Sequence, residues 1–241
     1  MQSVTVGSYN IHWGRRQREP RRWEPFDVVD ACAAVDTDVL ALQEVWRPDG
    51  GVSVAQEVAD ALGYEFHEAW TARAIVKPRC QILGGAGEDV GDGDWGQALL
   101  TRVPRGPVTD HRLAGFLYDP TDRAVLKTHI ELDGTKVSVC SSHFPHIEHI
   151  SPLLRWRLPR VLPDVHQPGV LMGDFNMWRW LSRFIVPGWS DAVNGATWPS
   201  HRPIFQIDHL LVTAPMRATD GEVVHTGESD HLPIRARISL R

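Results

Sequence analysis

The segment GVLMGDFNMW, residues 169–178, joins a short apolar run to an abrupt polar end. The run up to Met172 predicts a buried strand, and Asp174 and Asn176 follow it immediately. Polar side chains just beyond a buried strand are often the chemically active groups of a rigid scaffold. The segment therefore predicts a strand that ends in a carboxylate and an amide.

Four further polar clusters lie at the ends of predicted strands. They are Asn10-Ile11-His12, Gln43-Glu44, Ser142-His143, and the late pair Ile207-Asp208-His209 and Ser229-Asp230-His231. Each is weak evidence when taken alone, because a carboxylate after a strand can simply cap the next helix. A lone histidine is also more often structural than catalytic. Their combination is what makes them candidates for one site.

The order of predicted elements mixes crossover helices with hairpins. Helices are expected at 24–33, with Pro25 in the first turn, at 53–62, with Gly63 as C-cap, and, interrupted, at 153–162. Strands are expected at 3–13, 38–44, 64–70, 97–102, 108–113, 124–132, 136–143, 169–172, 205–212 and 234–238. Glu44 is expected between a strand and a helix, residues 77–96 in a loop, and Asp133-Gly134 in a hairpin turn. This order fits an α/β chain with more than one sheet, and with no repeat or low-complexity linker it predicts one domain over 1–241.

Composition limits the function without identifying it. The chain has 241 residues, 42% of them hydrophobic, and a formal net charge of -5, so no global attraction to a polyanion is expected. Three cysteines without a CxxC pair indicate neither a disulfide framework nor a cysteine zinc site. Without a signal-peptide pattern or a run of about 18 apolar residues, a cytoplasmic location is expected, although a removed signal peptide would be invisible.

The polar clusters supply what the hydrolysis of a phosphate ester requires. That reaction needs a hard cation on oxygen ligands, an acceptor that orients water, and donors for the charge that develops on the phosphoryl oxygens. The candidate metal ligands are Asn10, Glu44 and Asp230, the water acceptor is Asp174, and the donors are Asn176, His143 and His231. Asp208 is the candidate carboxylate that keeps a donating histidine cationic.

These residues lie in segments that resemble the endonuclease/exonuclease/phosphatase superfamily, which includes deoxyribonuclease-like nucleases, AP endonucleases, neutral sphingomyelinases and inositol polyphosphate 5-phosphatases. The segments are SYNIHWG from Ser8, LALQEVW from Leu40, WGQALLTR from Trp95, SSHFP from Ser141, LMGDFNMW from Leu171, TWPSHRPIFQIDHLLV from Thr197 and ESDHLPI from Glu228. They follow the family's order over nearly the whole chain.

The resemblance implies an α/β four-layer sandwich, in which two packed, largely antiparallel β-sheets are flanked by helices. It implies that Glu44 is the principal ligand of Mg²⁺ or Mn²⁺, with Asn10 and Asp230 near the metal. By the same resemblance Asp174 orients the attacking water and Asn176 holds phosphate. His231, paired with Asp208, is similar to the catalytic histidine, and His143 to a second histidine that contacts phosphate.

Some positions depart from the family's pattern. His12 stands where AP endonucleases carry an aspartate, and Gln97 stands where many members have asparagine. Met177-Trp178 replaces the tyrosine-arginine pair of inositol 5-phosphatases, which argues mildly against that branch. Arg123 is either a phosphate-binding arginine or an arginine at a strand end.

Other features near the motifs carry two readings each. Arg15, Arg16, Arg18, Arg21 and Arg22 form either a clamp for a phosphate or a solvated loop. The tryptophans beside the motifs either pack or contact substrate, with Trp178 and Trp198 the stronger site candidates. His146 and His149 are expected in a loop that borders the site, because Pro145 disfavours a continuous helix through His143.

The leading hypothesis is a metal-dependent phosphoesterase, with a phosphodiester preferred over a monoester. Three classes of substrate are open: nucleic acid, a lipid headgroup or a small molecule. A nucleic-acid substrate would make the chain a DNA or RNA endonuclease or an AP endonuclease. No obligate protein partner is expected, and a monomer is expected. The alternatives are a non-catalytic binding module of the same fold and an unrelated α/β protein whose carboxylates are caps.

Overall fold

A computed structural model describes residues 1–19, 22–77, 80–83, 91–113, 119, 121–146, 153–226 and 228–241. The strands are β1 (Ser3–Asn10), β2 (Arg15–Glu19), β3 (Arg22–Pro25), β4 (Val39–Pro48), β5 (Glu65–Lys77), β6 (Cys80–Leu83), β7 (Gly93–Thr101), β8 (Thr109–Arg112), β9 (Ala124–Leu132), β10 (Thr135–Ser142), β11 (Gly169–Asp174), β12 (Ser190–Asp191), β13 (Asp208–Val212), β14 (Met216–Val223) and β15 (Ile234–Leu240). The helices are α1 (Val28–Val35), α2 (Val54–Leu62), α3 (Leu153–Arg157) and α4 (Arg179–Ile185), and 3-10 turns lie at His12–Gly14 and Leu158–Arg160.

Two large sheets form the centre of the molecule. The first has the strand order β14-β15-β1-β4-β7-β5-β6, and the second has the order β12-β13-β11-β10-β9-β8. Within them only β1–β4 and β10–β11 pair in parallel among the described strands, and the other pairs are antiparallel. The largely antiparallel pairing predicted for the two sheets is confirmed.

Three apolar layers hold the sheets and helices together. Alternate residues of both sheets, such as Val6 and Met172, fill the space between the sheets. The outer face of the first sheet packs on α1 and α2 through residues such as Leu40. The outer face of the second sheet packs on α3 and α4 through residues such as Leu171 and Ile185. Burial of each such aliphatic side chain contributes about 1.5–3 kcal/mol to the free energy of folding. The helices, the two sheets and the helices on the other side form the predicted four-layer sandwich.

The Gly63 C-cap and the Asp133-Gly134 turn lie where the sequence predicts them, and Ser53, expected as the first helical residue, is instead the N-cap. The Ser53 side chain accepts from the backbone N–H of Gln56 at the start of α2, and Gly63 ends that helix in the left-handed conformation. Asp133 and Gly134 have φ of 47° and 75°, as a tight type I′ turn between β9 and β10 requires.

Four expectations about local structure are wrong. Pro25 belongs to β3, and α1 starts only after Asp27, whose side chain accepts from the N–H of Asp30. Residues 77–96 are not one loop, because pairing with β5 forms β6 and the start of β7; residues 78–79 and 84–90 lie outside the described part. The arginine-rich segment is the β2–β3 hairpin rather than a loop. Glu44 lies inside β4.

The strand directions bring the predicted polar ends to one edge. Parallel pairing places the ends of β1 and β4 together, and likewise the ends of β10 and β11. Because side chains alternate along a strand, Asn10 continues the inward face of Val4 and Val6, and Asp174 continues that of Val170 and Met172. The two polar residues therefore meet between the sheets. None of the described helices has the length and apolar character needed to cross a membrane.

Candidate active site

Asp174 ends β11 at a point where only glycine can precede it. A Cβ on Gly173 would lie 1.8 Å from the backbone oxygen of Ser142, and Gly173 has a φ of 151°. The glycine thus lets β11 approach β10 closely and delivers the Asp174 carboxylate into the gap between the sheets.

The Asp174 carboxylate is the hub of the polar cluster. Its Oδ1 accepts from the backbone N–H of Asn176 at 2.8 Å, and its Oδ2 accepts from Nδ2 of Asn10 at 2.9 Å. The same Oδ2 lies 3.5 Å from Nε2 of His143 and 3.7 Å from Nε2 of His231. Two strand ends and two histidines therefore converge on one oxygen.

Burial sets the proton affinity of this carboxylate. Desolvation and the neighbouring Asp208 raise the pKa of Asp174, His231 and the hydrogen bond from Asn10 lower it, and the net result is a pKa of about 7. A carboxyl group with a pKa near neutrality can both bind and release a proton at physiological pH.

His231 is held as a cation by the carboxylates around it. Its Nδ1 donates to Oδ2 of Asp208 at 2.9 Å, and both side chains are buried. Burial alone would lower the pKa of His231, but Asp208, Asp174 and Asp230 outweigh it and hold that pKa well above the usual range. The Nε2–H of the imidazolium is left facing Asp174.

His143 has the opposite protonation. Burial, with the charges of Arg123 and His231, lowers the pKa of His143 well below its usual range, so the ring is neutral. The Asn176 amide nitrogen donates to the Phe144 oxygen at 3.1 Å and lies 3.0 Å from Nε2 of His143. Since that amide is a donor to both, Nε2 of His143 is an acceptor and its proton is on Nδ1.

A β-bulge redirects Glu44. In the pairing of β4 with β7, Gln43 faces Gln97 and Val45 faces Gly96, so Glu44 is an extra residue with a φ of 56°. Without the bulge, strict alternation would turn Glu44 toward the outer helices. Its Oε1 accepts from Nδ2 of Asn10 at 3.2 Å, whereas its buried Oε2 has no hydrogen-bond partner among the described residues.

Asp230 is the other carboxylate at this edge. Its Oδ2 accepts from the indole Nε1 of Trp198 at 3.3 Å, and its Oδ1 lies 3.9 Å from Nδ1 of His12. Burial would raise the pKa of Asp230, but the charges of His231 and His12 and the hydrogen bond from Trp198 lower it. Asp230 is therefore an anion at neutral pH.

The amide of Asn10 connects these groups. It donates to both Glu44 and Asp174, and its Oδ1 accepts from the backbone N–H of His12 at 3.0 Å. The expected amide-oxygen ligand is thus already hydrogen-bonded, and only its second lone pair is available to a cation. The contacts link Asn10, Glu44, His143, Asp174, Asn176, Asp208, Asp230 and His231 into one network.

Backbone strain is concentrated here. Among the described residues other than glycine, seven have a positive φ, and four of these, His12, Trp13, Glu44 and Asn176, lie at this edge. Such conformations cost roughly 1–3 kcal/mol each and persist where the surroundings impose them, often at functional sites.

The network opens into a cavity of about 440 Å³. Glu44, Asp174, Asp230 and His231 form its polar side, and no lysine or arginine is among the described residues that line it. The other side is aromatic and apolar, formed by Trp13, Trp178, Trp198, Phe205 and Ile207. His146 borders the cavity, and His149 lies outside the described residues.

The structure places Arg123 and the arginines of the β2–β3 hairpin, the two groups considered as phosphate-binding candidates, in different surroundings. Arg123 is buried, donates to Oδ2 of Asp119 at 2.8 Å and stacks over the Trp95 ring, behind the site rather than in the cavity. Arg16 pairs with Glu228, and Arg15 lines a neighbouring cleft. Arg21 and the side chains of Arg18 and Arg22 lie outside the described part of the chain.

Sequence reasoning missed a buried network beneath the site. His209 donates through Nε2 to the backbone oxygen of Met177 at 2.9 Å, and its Nδ1 lies 3.8 Å from Asp191. Asp191 also accepts from Arg179 at 3.0 Å and from Arg183 at 2.9 Å. The network ties the loop that carries Asn176 to β12, β13 and α4. The adjacency of His209 to Asp208 was its only signal in the sequence.

The sequence matches a family model described as the endonuclease/exonuclease/phosphatase family over residues 7–231. The chain belongs to this family. The matched region includes all eight predicted site residues, and the family assignment indicates hydrolysis of phosphoesters, as by phosphatases and nucleases. No curated protein matches the chain in sequence.

Solved structures share the fold at low sequence identity. An endonuclease/exonuclease/phosphatase from Beutenbergia cavernae DSM 12333 is 21% identical with a TM-score of 0.77, and the match covers 100% of this chain and 72% of that chain. A family protein from Leptotrichia buccalis C-1013-b is 16% identical with a TM-score of 0.70, over 99% of both chains. D. rerio TDP2 complexed with a single-strand DNA product is 15% identical with a TM-score of 0.65, over 99% of this chain and 100% of that chain. These likenesses support the fold.

Proposed function

We propose that this chain is a divalent-metal-dependent phosphoesterase that hydrolyses a phosphodiester by direct attack of water. One observation carries the proposal: a carboxylate with a pKa near 7 lies beside a buried histidine cation at the wall of one cavity. Such a pair provides a base for water and a donor for phosphoryl charge within a few ångströms.

The residues at the cavity fit a hard cation. The buried Oε2 of Glu44 has no hydrogen-bond partner in the described part of the chain, and an unpaired buried carboxylate oxygen is costly unless a cation neutralises it. Glu44 and Asp230, with the free lone pair of Asn10, would hold Mg²⁺ or Mn²⁺. A bound divalent cation supplies Lewis-acid stabilisation of the phosphoryl oxygens.

A second group of possible ligands is less suited to that role. Oxygen and nitrogen atoms of Asp174, Asp208 and His231 all lie within 4.8 Å of one another. However, Nδ1 of His231 donates to Asp208, and a protonated ring has no lone pair for a metal. We therefore give these three residues proton chemistry rather than metal binding.

Asp174 acts as the acceptor for the water proton. Asn10 and the Asn176 N–H fix the orientation of its carboxylate, one hydrogen bond on each oxygen. Its pKa of about 7 places it where a general base works best near neutral pH. The proton that leaves the water therefore ends on Asp174.

His231 acts as the donor to the phosphoryl group, and Asp208 is its positioning residue. The hydrogen bond to Asp208 fixes the ring and keeps it cationic, so Nε2–H can donate to an oxygen whose negative charge grows in the transition state. Neutral His143 differs from the expected cationic donor. Its Nε2 accepts from Asn176, whose other amide hydrogen is donated to the Phe144 oxygen, so His143 fixes the Asn176 side chain and neither amide hydrogen is free for phosphate.

The charge of the site favours a diester over a monoester. Glu44, Asp174 and Asp230 line a cavity whose described walls contain neither lysine nor arginine. A diester carries one negative charge, whereas a monoester near neutral pH carries close to two. Repulsion from the carboxylates is therefore smaller for the diester, and the aromatic side of the cavity has room for its second substituent.

A nuclease is the second candidate within the same chemistry. A fold relative has been solved with a single-strand DNA product, and Trp178, Trp198 and Phe205 offer ring faces for bases. A non-catalytic module is disfavoured, because Glu44, Asp174, Asp208 and His231 are all present and in contact through the network.

A substrate panel with Mg²⁺ and Mn²⁺ tests the proposal. It contains bis-p-nitrophenyl phosphate, p-nitrophenyl phosphate, supercoiled and abasic DNA, RNA, sphingomyelin and inositol phosphates. We expect turnover of a diester that stops with EDTA and falls roughly a hundredfold or more in His231→Ala. If no substrate is turned over faster than by His231→Ala, the enzyme hypothesis fails.

In the Asp208→Asn variant, kcat/KM is expected to begin its alkaline decline at a lower pH than in the unmodified chain. Removing the carboxylate lowers the pKa of His231, so the cation is lost at lower pH, and the descending limb of kcat/KM moves to lower pH. The matched control is Asp110→Asn, which breaks the surface pair of Asp110 with His67 at 2.7 Å. An unchanged alkaline limb in Asp208→Asn would contradict the role given to His231.

A further inference from the structure

Six of the eight exposed large apolar side chains of the described chain lie on α3, on α4 and its preceding residue, and at 204–205, and two of the six line the cavity. Trp156, Trp180 and Ile204 are 69%, 65% and 61% exposed. The whole set, here called the aromatic face, is Trp156, Trp178, Trp180, Phe184, Ile204 and Phe205. Such groupings mark interaction surfaces more often than scattered apolar residues do.

Ring contacts make this face continuous with the cavity. Phe205 and Trp178 line the cavity and lie 6.2 Å apart between ring centroids, and Trp178 is also 6.2 Å from Trp180. Phe184 follows Trp180 by four residues on α4 and thus shares its side of the helix.

Arg155 joins the two helices of the face. Its guanidinium lies 4.7 Å from the Phe184 ring centroid and donates to the backbone oxygen of Phe184. Trp156 is the next residue on α3. The aromatic face therefore runs from the cavity mouth along α4, and its remaining member, Trp156, belongs to the adjoining helix α3.

The helices of this face are basic within an acidic chain. Segments 153–160 and 179–185 contain five arginines and no aspartate or glutamate, whereas the whole chain has a formal net charge of -5. Of these arginines, Arg179 and Arg183 are paired with Asp191, and Arg160 is exposed at the end of the 3-10 turn. Asp191 offsets part of this charge, and arginine still exceeds carboxylate in the segments that carry three of the exposed apolar side chains.

We propose that the aromatic face docks on an anionic lipid bilayer and that the cavity thereby opens toward the lipid headgroups. Tryptophan and phenylalanine surrounded by arginine form the pattern of a surface that lies in the bilayer interface. Anionic headgroups supply the charge that complements the arginines. The inference rests on the proposed function, because it names phosphate esters at a lipid surface as the substrates of that cavity.

The composition of the face favours a bilayer over single-stranded nucleic acid. Ile204 offers no ring face on which a base can stack, yet it is among the most exposed side chains. Trp156 and Phe184 project from the outer helical layer, whereas single strands bind along grooves in which successive bases find ring faces. Insertion into an interface needs only projecting apolar groups.

Vesicle flotation tests the proposal without any turnover. The full chain is mixed with vesicles of phosphatidylcholine alone and with vesicles of phosphatidylcholine and phosphatidylserine. We expect binding to the anionic vesicles, weakened by added salt, and little binding to the neutral ones. A Trp156→Ala/Trp180→Ala variant should bind roughly tenfold or more weakly, and Arg160→Gln roughly fivefold more weakly.

The matched control is Val52→Ala, which removes an exposed apolar side chain outside the aromatic face. It should bind vesicles as the unmodified chain does, and circular dichroism shows whether each variant is folded. Equal binding by all folded variants, or no binding to anionic vesicles, overturns the proposal. The proposal is also overturned if the Trp156→Ala/Trp180→Ala variant loses binding to a single-stranded oligonucleotide but keeps binding to vesicles.

Turnover of soluble bis-p-nitrophenyl phosphate is measured separately. Absence of that activity with intact vesicle binding contradicts the proposed function alone, whereas activity without vesicle binding contradicts the docking proposal alone.

Discussion

The Asp174→Asn variant is expected to lose about 10²–10⁴-fold in kcat for a diester, the range for removal of a positioned general base. The amide keeps the shape of the side chain but cannot take a proton from water. KM should change little, because His231, the proposed donor to the phosphoryl group, is unchanged. Single-turnover kinetics over a range of pH measures the loss. Asp60→Asn, at an exposed position of α2, is the matched control and should keep full activity.

A second readout separates this loss from unfolding. Because the pKa of Asp174 is raised to about 7 in the folded chain, the folded state binds more protons than the unfolded state between pH of about 4 and about 7. Folding stability of the unmodified chain therefore falls as pH rises through that window. In Asp174→Asn this loss is absent, so its Tm relative to the unmodified chain should increase across the window. A parallel pair of Tm curves would contradict the raised pKa.

Much of the fold follows from patterns that act locally. Apolar runs, the Gly63 cap and the Asp133-Gly134 turn are set by neighbouring residues, and the structure has them where the sequence predicts them. The convergence of strand ends also follows, because strand direction and side-chain alternation fix where Asn10 and Asp174 point. The family resemblance supplied the number of layers.

Features that depend on distant pairing were not predictable. The bulge at Glu44 arises from the register of β4 against β7. Alternation along β4 alone would place the Glu44 side chain on the outer face of the sheet, toward the helices. The β2–β3 hairpin has a largely polar sequence, and β6 is only four residues long, so the strand structure of both comes from their backbone partners. The protonation of His143 depends on Arg123 and His231, which lie far away in sequence.

The two histidines show why residue type alone does not assign a role. Both are buried and both lie near Asp174. His231 has Asp208 as partner and is cationic, whereas the nearest described carboxylate to His143 is Asp174 at 3.5 Å, and the buried ring is neutral. Similar positions after strands therefore lead to a donor in one case and an acceptor in the other.

The Glu44→Gln variant is expected to lose both metal binding and roughly 10²–10³-fold in kcat, because it removes the charge of the principal proposed ligand. In the unmodified chain, Mg²⁺ or Mn²⁺ at about 100 times its Kd should stabilise folding by about 2.7 kcal/mol, a rise in Tm of roughly 5–10 °C for a chain of this size. When the glutamine oxygen accepts from Asn10, the amide NH2 group takes the place of Oε2 of Glu44, and that group has no lone pair for a cation.

Differential scanning calorimetry with and without metal distinguishes this outcome from a general effect of charge. Glu131→Gln, at an exposed position of β9, removes the same charge away from the cavity and should keep the full metal-dependent rise in Tm. In Glu44→Gln the Tm without metal should be equal to or above that of the unmodified chain, because a buried unpaired charge has been removed. If metal raises the Tm of Glu44→Gln as much as that of Glu131→Gln, the cation is held elsewhere. The group of Asp174, Asp208 and His231 is then the alternative site, and metal would compete with the proton on His231.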